Sequence, residues 1–173
     1  RPWVPKPLTI PMAAATRWGE RRAERNRYLI LAEYGYAARF NEPHPVVPNT
    51  PVVPESVPPS ARGRAIYVGR VTRARGGLEL GELGRALQGS GVELDVIGEI
   101  DAEVAQPLRR AEARGEVRLR GFVPNEQALR AVEGATVGLS FLHDEPNYRH
   151  SMPTKLLEYL AHGVPFVSTP LPL

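Results

Sequence analysis

Residues 61–173 predict an α/β fold, a parallel sheet with helices on both faces. Two observations carry this expectation. Short apolar, β-branched runs alternate with amphipathic segments of helical period, the pattern of strands joined by crossover helices. Each helical segment is also preceded or followed by Gly, Pro, Asp or Asn, the residues that start and stop helices. Hydrophobic residues at 42% and charged residues at 24% are globular values, so the pattern belongs to a chain able to bury a core.

In chain order, Pro2, Pro5, Pro7 and Pro11 predict an extended arm over residues 1–15. A helix is expected from Thr16 to about Tyr36, with Arg21, Glu24 and Arg27 at i,i+3 spacing and Tyr28, Leu29, Leu31 and Ala32 on its apolar side. Asn41 to Ser60 is dense in proline and reads as a stiff linker. The compact domain then starts near Ala61. Its expected strands are Ala65–Val68, Glu93–Ile97, Val117–Arg120, Thr136–Phe141 and Val164–Ser168. Helices are expected at Leu78–Leu87, Asp101–Arg114, Asn125–Glu133 and Pro153–His162. Right-handed crossovers put all strand C-terminal ends on one edge, where α/β proteins bind ligands. A site is therefore sought at Gly69, Gly98, Gly121, Leu142 and Thr169 and the loops that follow them.

Composition narrows the chemistry. The 22 Lys and Arg against 19 Asp and Glu leave a net charge of only +3, too small to imply a polyanion partner. The absence of cysteine removes disulfides, thiolate metal sites and a cysteine nucleophile, and fits a cytoplasmic protein. No apolar run approaches the roughly 18 residues that would span a bilayer. The start at Arg1 and the stop at Leu173, a few residues past the last expected strand, read as those of a fragment.

Two stretches could carry chemistry. The first expected βα loop runs Gly69-Arg70-Val71-Thr72-Arg73-Ala74-Arg75-Gly76-Gly77. Glycines let backbone N–H groups approach phosphate oxygens, a helix start adds a positive dipole end, and arginine forks bind those oxygens bidentately. The same residues also read as a glycine turn with solvated arginines. The second stretch is His150 to Ser168, whose helix is framed by Pro153 and Gly163. Leu156, Leu157, Leu160 and Ala161 are expected on its apolar side, with Lys155 and Glu158 one turn apart on another face. A carboxylate there can accept both hydroxyl protons of a ribose diol, and a lysine near the helix start attracts phosphate. The alternative is a surface i,i+3 ion pair.

The motifs Ile66-Tyr67-Val68-Gly69-Arg70, Arg75-Gly76, Asp95-Val96-Ile97-Gly98, Arg120-Gly121-Phe122-Val123-Pro124 and Pro153 to Val167 occur in this order. Together they resemble the C-terminal domain of the large retaining GT-B glycosyltransferase family. The resemblance implies a Rossmann-like donor-binding domain over 61–173, one half of a GT-B fold. It further implies that 1–40 ends the preceding N-terminal domain, with one helix, and that 41–60 is the interdomain linker. Carried over by position, Arg70 and Arg75 are the expected catalytic pair, holding the donor diphosphate as the sugar–phosphate bond breaks. Gly69, Val123, Ser151, Lys155 and Glu158 are the expected donor-binding residues: Glu158 for the ribose, Lys155 for the phosphates, the backbone around Val123 for the base. No metal and no cofactor are implied. The expected partners are a nucleotide sugar and a glycosyl acceptor, not nucleic acid, and the half not present leaves room for peripheral membrane association.

Two departures stand out. Many family members have lysine at the position of Arg75, and many have glutamate eight residues before the ribose-binding one, where this chain has His150. That glutamate is associated with the donor sugar, so the role of His150 stays open. Subgroups with a Ser-x-Pro-x-Lys run like Ser151–Lys155 lack it. The expected function is transfer of a sugar from a nucleotide-diphosphate donor, with this fragment binding the donor without turnover. The alternatives are a nucleotide-sugar epimerase of the same fold and a non-catalytic nucleotide- or nucleic-acid-binding module using Arg21, Arg22, Arg25 and Arg27. Nucleobase, sugar, acceptor and oligomeric state are not legible.

Overall fold

The computed structural model describes residue 7 and residues 9–60, 63–145, 148 and 152–170. The chain divides into two units, 1–49 and 50–173. In the first, helix α1 covers Thr9–Asn26, and a 3-10 turn covers Tyr34–Arg39. The helix thus begins in the stretch expected to be an arm and ends ten residues before Tyr36. The reason at the start is positional: Pro11 lies in the first turn, where a helical N–H has no intrahelical acceptor to lose. At the end, the Asn26 side chain donates to the Arg22 carbonyl, a local bond of the kind that competes with further helix. Leu31, expected on the apolar side of the helix, instead pairs with Val46 in an isolated parallel bridge and is buried there. The Glu24 carboxylate accepts the backbone N–H groups of Asn41 and Glu42, which ties the start of the Pro-rich segment to α1.

The second unit holds a five-stranded parallel sheet of order β3-β2-β1-β4-β5. Its strands are β1 Arg64–Val68, β2 Glu93–Ile97, β3 Arg118–Gly121, β4 Val137–Ser140 and β5 Phe166–Ser168. Between them run α2 Gly77–Ala86, α3 Ala102–Ala113, α4 Asn125–Val132 and α5 Thr154–Ala161. The expected α/β sheet with helices on both faces is the fold found. One face buries Ala65, Tyr67, Leu94 and Val96 against Leu80 of α2 and Val104 and Leu108 of α3. The other buries Ile66, Val68 and Ile97 against Ala128 and Val132 of α4 and Leu156 and Tyr159 of α5. Two covered faces explain why β1 reads as a continuous apolar run rather than an alternation.

The first two crossovers extend the sheet to one side of β1, and α4 carries the chain back to the other side. The order therefore reverses between β1 and β4, the position at which open α/β sheets form a crevice. The pairing is short there: β1 and β4 are joined only at Ala65–Val137 and Ile66–Gly138, and the strands part beyond that point. Tyr159, wholly buried, reaches into the fork. Its hydroxyl accepts the Val68 N–H at 3.0 Å and donates to the Leu139 carbonyl at 3.2 Å. Two backbone groups that the diverging strands would leave unpaired are satisfied by one side chain. Gly138 makes room for it, since a Cβ there would lie 2.3 Å from the Tyr159 ring.

Candidate functional site

Glycines turn the chain at the ends of three strands. Gly69, Gly98 and Gly121 have φ of +124°, +145° and +67°, values that side chains rarely adopt. The Gly69 N–H donates to the Ile97 carbonyl, and the Gly98 N–H to that of Gly121, so the three strand ends are laced together, with a register shift between β2 and β3 at Val96/Ile97. Gly98 is also forced by proximity, because a Cβ on it would fall 2.0 Å from the Gly69 carbonyl oxygen. At the other strands, the Thr169 hydroxyl donates to the Leu142 carbonyl. All the positions at which a site was sought thus lie along one edge.

From Gly69 the chain continues as a short extension, in which Val71 bridges Ile100, then a 3-10 turn over Arg73–Arg75 that leads into α2. Gly76 caps α2 with φ +80°, and a Cβ on it would lie 2.3 Å from that of Phe141. The loop after β4 docks on this turn: the His143 N–H donates to the Ala74 carbonyl, and its ring Nε2 lies 2.6 Å from Glu79 Oε1 in the first turn of α2. The Arg75 guanidinium lies 5.8 Å from the centroid of the Tyr148 ring, and its Nε donates to the hydroxyl at 3.3 Å.

Lys155 reaches into this edge from the first turn of α5. Its Nζ lies 3.8 Å from the centroid of the Tyr67 ring, a cation–π distance. A Cβ on Gly69 would come within 3.3 Å of the same nitrogen. The amine is buried with no hydrogen-bond partner, and among the described residues no carboxylate lies within ion-pair reach. Burial, reinforced by the positive charge of Arg75, lowers its pKa to about 7, and Glu158 only partly offsets this. The surface ion pair considered for Lys155 and Glu158 is therefore not formed. Glu158 sits half-buried one turn along the same face.

Arg70 is placed differently from Arg75. Its Nε donates to Asp101 Oδ1 at 2.8 Å, at the start of α3, and its side chain is 57% exposed. The Asp101 hydrogen bond holds the guanidinium above its ordinary pKa. Of the expected site residues, Gly69, Arg75, Lys155 and Glu158 are brought to the edge between β1 and α5, whereas Arg70 is turned onto α3. The Val123 side chain packs into the core beneath α4. His150 and Ser151 lie outside the described residues.

Residues 62–172 match the family described as Glycosyl transferases group 1. The chain belongs to that family. No curated protein matches it by sequence. Among solved structures, this group 1 domain is similar to sucrose-phosphate synthase from Thermosynechococcus elongatus, at a TM-score of 0.68 and 16% identity over 92% of this chain and 45% of that one. It is similar to the Anabaena protein HepE, solved with UDP and glucose, at a TM-score of 0.63 and 15% identity over 87% and 46%. AviGT4, a glycosyltransferase of avilamycin A biosynthesis, gives 0.61 and 20% over 83% and 44%. Identities this low bear on fold alone, and the fold is half of a GT-B architecture. The chain spans less than half the length of these structures. Among the described residues of the group 1 domain, no helix is long and apolar enough to cross a membrane.

Several site residues escaped the sequence reading. Tyr159 was not placed on the buried side of α5, and Leu160, which was, is 56% exposed. The usable signal was the i,i+3 spacing from Leu156 together with a glycine inside β4, which marks a close approach. Tyr67 and Tyr148, the ring partners of Lys155 and Arg75, and the Glu79–His143 pair come from segments far apart in sequence and had no local signal.

Proposed function

We propose that this group 1 domain binds the nucleotide-diphosphate sugar of a glycosyltransferase at the strand ends of β1 and β4. The observation that carries the reading is the buried amine of Lys155, held beside Arg75 and above Gly69 with no hydrogen-bond partner and, among the described residues, no carboxylate within ion-pair reach. A cation taken out of water without a counter-charge is costly, and a site that keeps one is suited to an anion that arrives as ligand. The dipole end of α2 behind Gly76 adds to the same pole.

In this reading the diphosphate lies between Arg75 and Lys155, and Arg70 joins them by exchanging its Asp101 contact for a phosphate oxygen. Glu158 accepts the ribose hydroxyls, and the backbone after β3, around Val123, meets the base. Transfer begins as the bond between the anomeric carbon and the phosphate oxygen breaks, leaving negative charge on the diphosphate. Fixed cations at that oxygen favour the transition state over the ground state, so catalysis is electrostatic. HepE was solved with UDP and glucose, which makes a uridine donor the first to try. Retention of configuration and an acceptor bound by a preceding domain, to which residues 1–40 and the 41–60 linker would connect, belong to the same proposal.

Calorimetric titration of the chain with UDP, GDP and their sugar conjugates tests it. Arg75→Ala and Glu158→Ala each remove a charge-assisted contact, and each should weaken binding by about 10-fold or more. A well-folded chain that binds none of these ligands at millimolar concentration would reject the proposal.

A further inference from the structure

We propose that Lys155 makes donor binding proton-linked: its amine, buried against the Tyr67 ring with no hydrogen-bond partner, takes up a proton when the diphosphate of a nucleotide sugar arrives. This rests on the donor-site reading above. The geometry that supports it is the set of groups around Nζ. From β1 comes the Tyr67 ring, 3.8 Å away, whose own hydroxyl is committed to the Arg70 carbonyl. From the 73–75 turn comes Arg75, a like charge held by Tyr148. From α5 itself comes Glu158, which favours the ammonium but lies beyond ion-pair reach, while the Tyr159 hydroxyl is spent on Val68 and Leu139. Nothing among these neighbours hydrogen-bonds the amine.

Desolvation and a neighbouring cation both disfavour the charged form, which is why the ammonium titrates near 7 rather than in the ordinary lysine range. A diphosphate placed against Nζ reverses both influences, since it supplies opposite charge and hydrogen-bond acceptors together. The pKa must then rise, and mass balance requires a proton from solvent. The free energy of protonation is thereby coupled to the affinity for the donor.

The experiment is titration calorimetry of the whole chain with UDP-glucose and GDP-mannose at one pH in buffers of different ionisation enthalpy, repeated from pH 6 to 9. Nucleotide sugars are used because their diphosphate diesters do not titrate in that range, unlike free UDP. At pH 7.5 the wild type should take up on the order of half to three quarters of a proton per ligand, with affinity falling several-fold per pH unit above about 7.5. Lys155→Arg, with a side chain charged throughout, should bind with no proton uptake and a flat pH profile. Binding by the wild type with no buffer-dependent enthalpy would overturn the proposal, as would proton uptake that persists in Lys155→Arg or Lys155→Met. Absence of binding to either ligand at every pH would reject the donor site itself, and this inference with it.

Discussion

At the scale of single residues, the fork between β1 and β4 is held by one tyrosine hydroxyl. Tyr159→Phe removes the side-chain partner of two buried backbone groups and should cost about 1–3 kcal/mol, measured by urea unfolding. Gly138→Ala presses a methyl group into the same ring and should cost a similar amount, about 1–3 kcal/mol. Lys155 gives a pH dependence of stability whose sign is fixed by its lowered pKa. The unfolded chain binds this proton below about 10.5 and the folded domain only below about 7, so stability is lost as pH falls from 10.5 to 7 and is level below that. Lys155→Met should remove that slope, and thermal unfolding between pH 7 and 10 checks it. Lys155 and Glu158 were legible because helix period alone puts i and i+3 on one face. Tyr159 was missed because a tyrosine reads as a boundary residue until its hydroxyl has a known destination.

At the scale of elements, α3 carries Pro107 in its interior, exposed and past the first turn. Proline there removes a ladder hydrogen bond, so Pro107→Ala should stabilise the domain by roughly 1–3 kcal/mol in the same unfolding assay. The strands and helices of the sheet were legible because each is short, apolar and bounded by a glycine or proline that the turn geometry requires. β2 falls at Glu93–Ile97 as read, and α2, α3, α4 and α5 lie within a residue of their expected ends. The first unit was less legible, for a physical reason. Its helix has no buried residue, so periodicity carries little information, and a proline in a first turn does not distinguish a helix start from an extended arm by composition. Leu31 was assigned to a helix by local composition, and a pairing with Val46 decided otherwise.

At the scale of the whole molecule, both apolar clusters draw only on residues of the second unit. A chain of residues 50–173 should therefore unfold cooperatively on its own and keep its nucleotide-sugar affinity within a few-fold, as circular dichroism and calorimetry would show. Sheet order was not readable from sequence, yet it is what makes the site: the return of α4 across β1 opens the crevice and lets α5 bring Lys155 to Gly69. A second groove lies at the opposite edge, lined by Gly91, Glu93, Glu112, Glu116 and Arg118. Its lining cation, Arg118, is already paired with Glu93, and its remaining charged lining residues are carboxylates, so it offers no unpaired cation to a phosphate. The most direct measurement is therefore a map of amide chemical shifts by NMR as UDP-glucose or GDP-mannose is added. Saturable shifts concentrated at Gly69, Arg75, Gly76, Gly77 and the first turn of α5 are the expected result. Shifts confined to the groove at Glu93 and Glu112, or none at saturating ligand, would contradict the donor site at the β1–β4 edge.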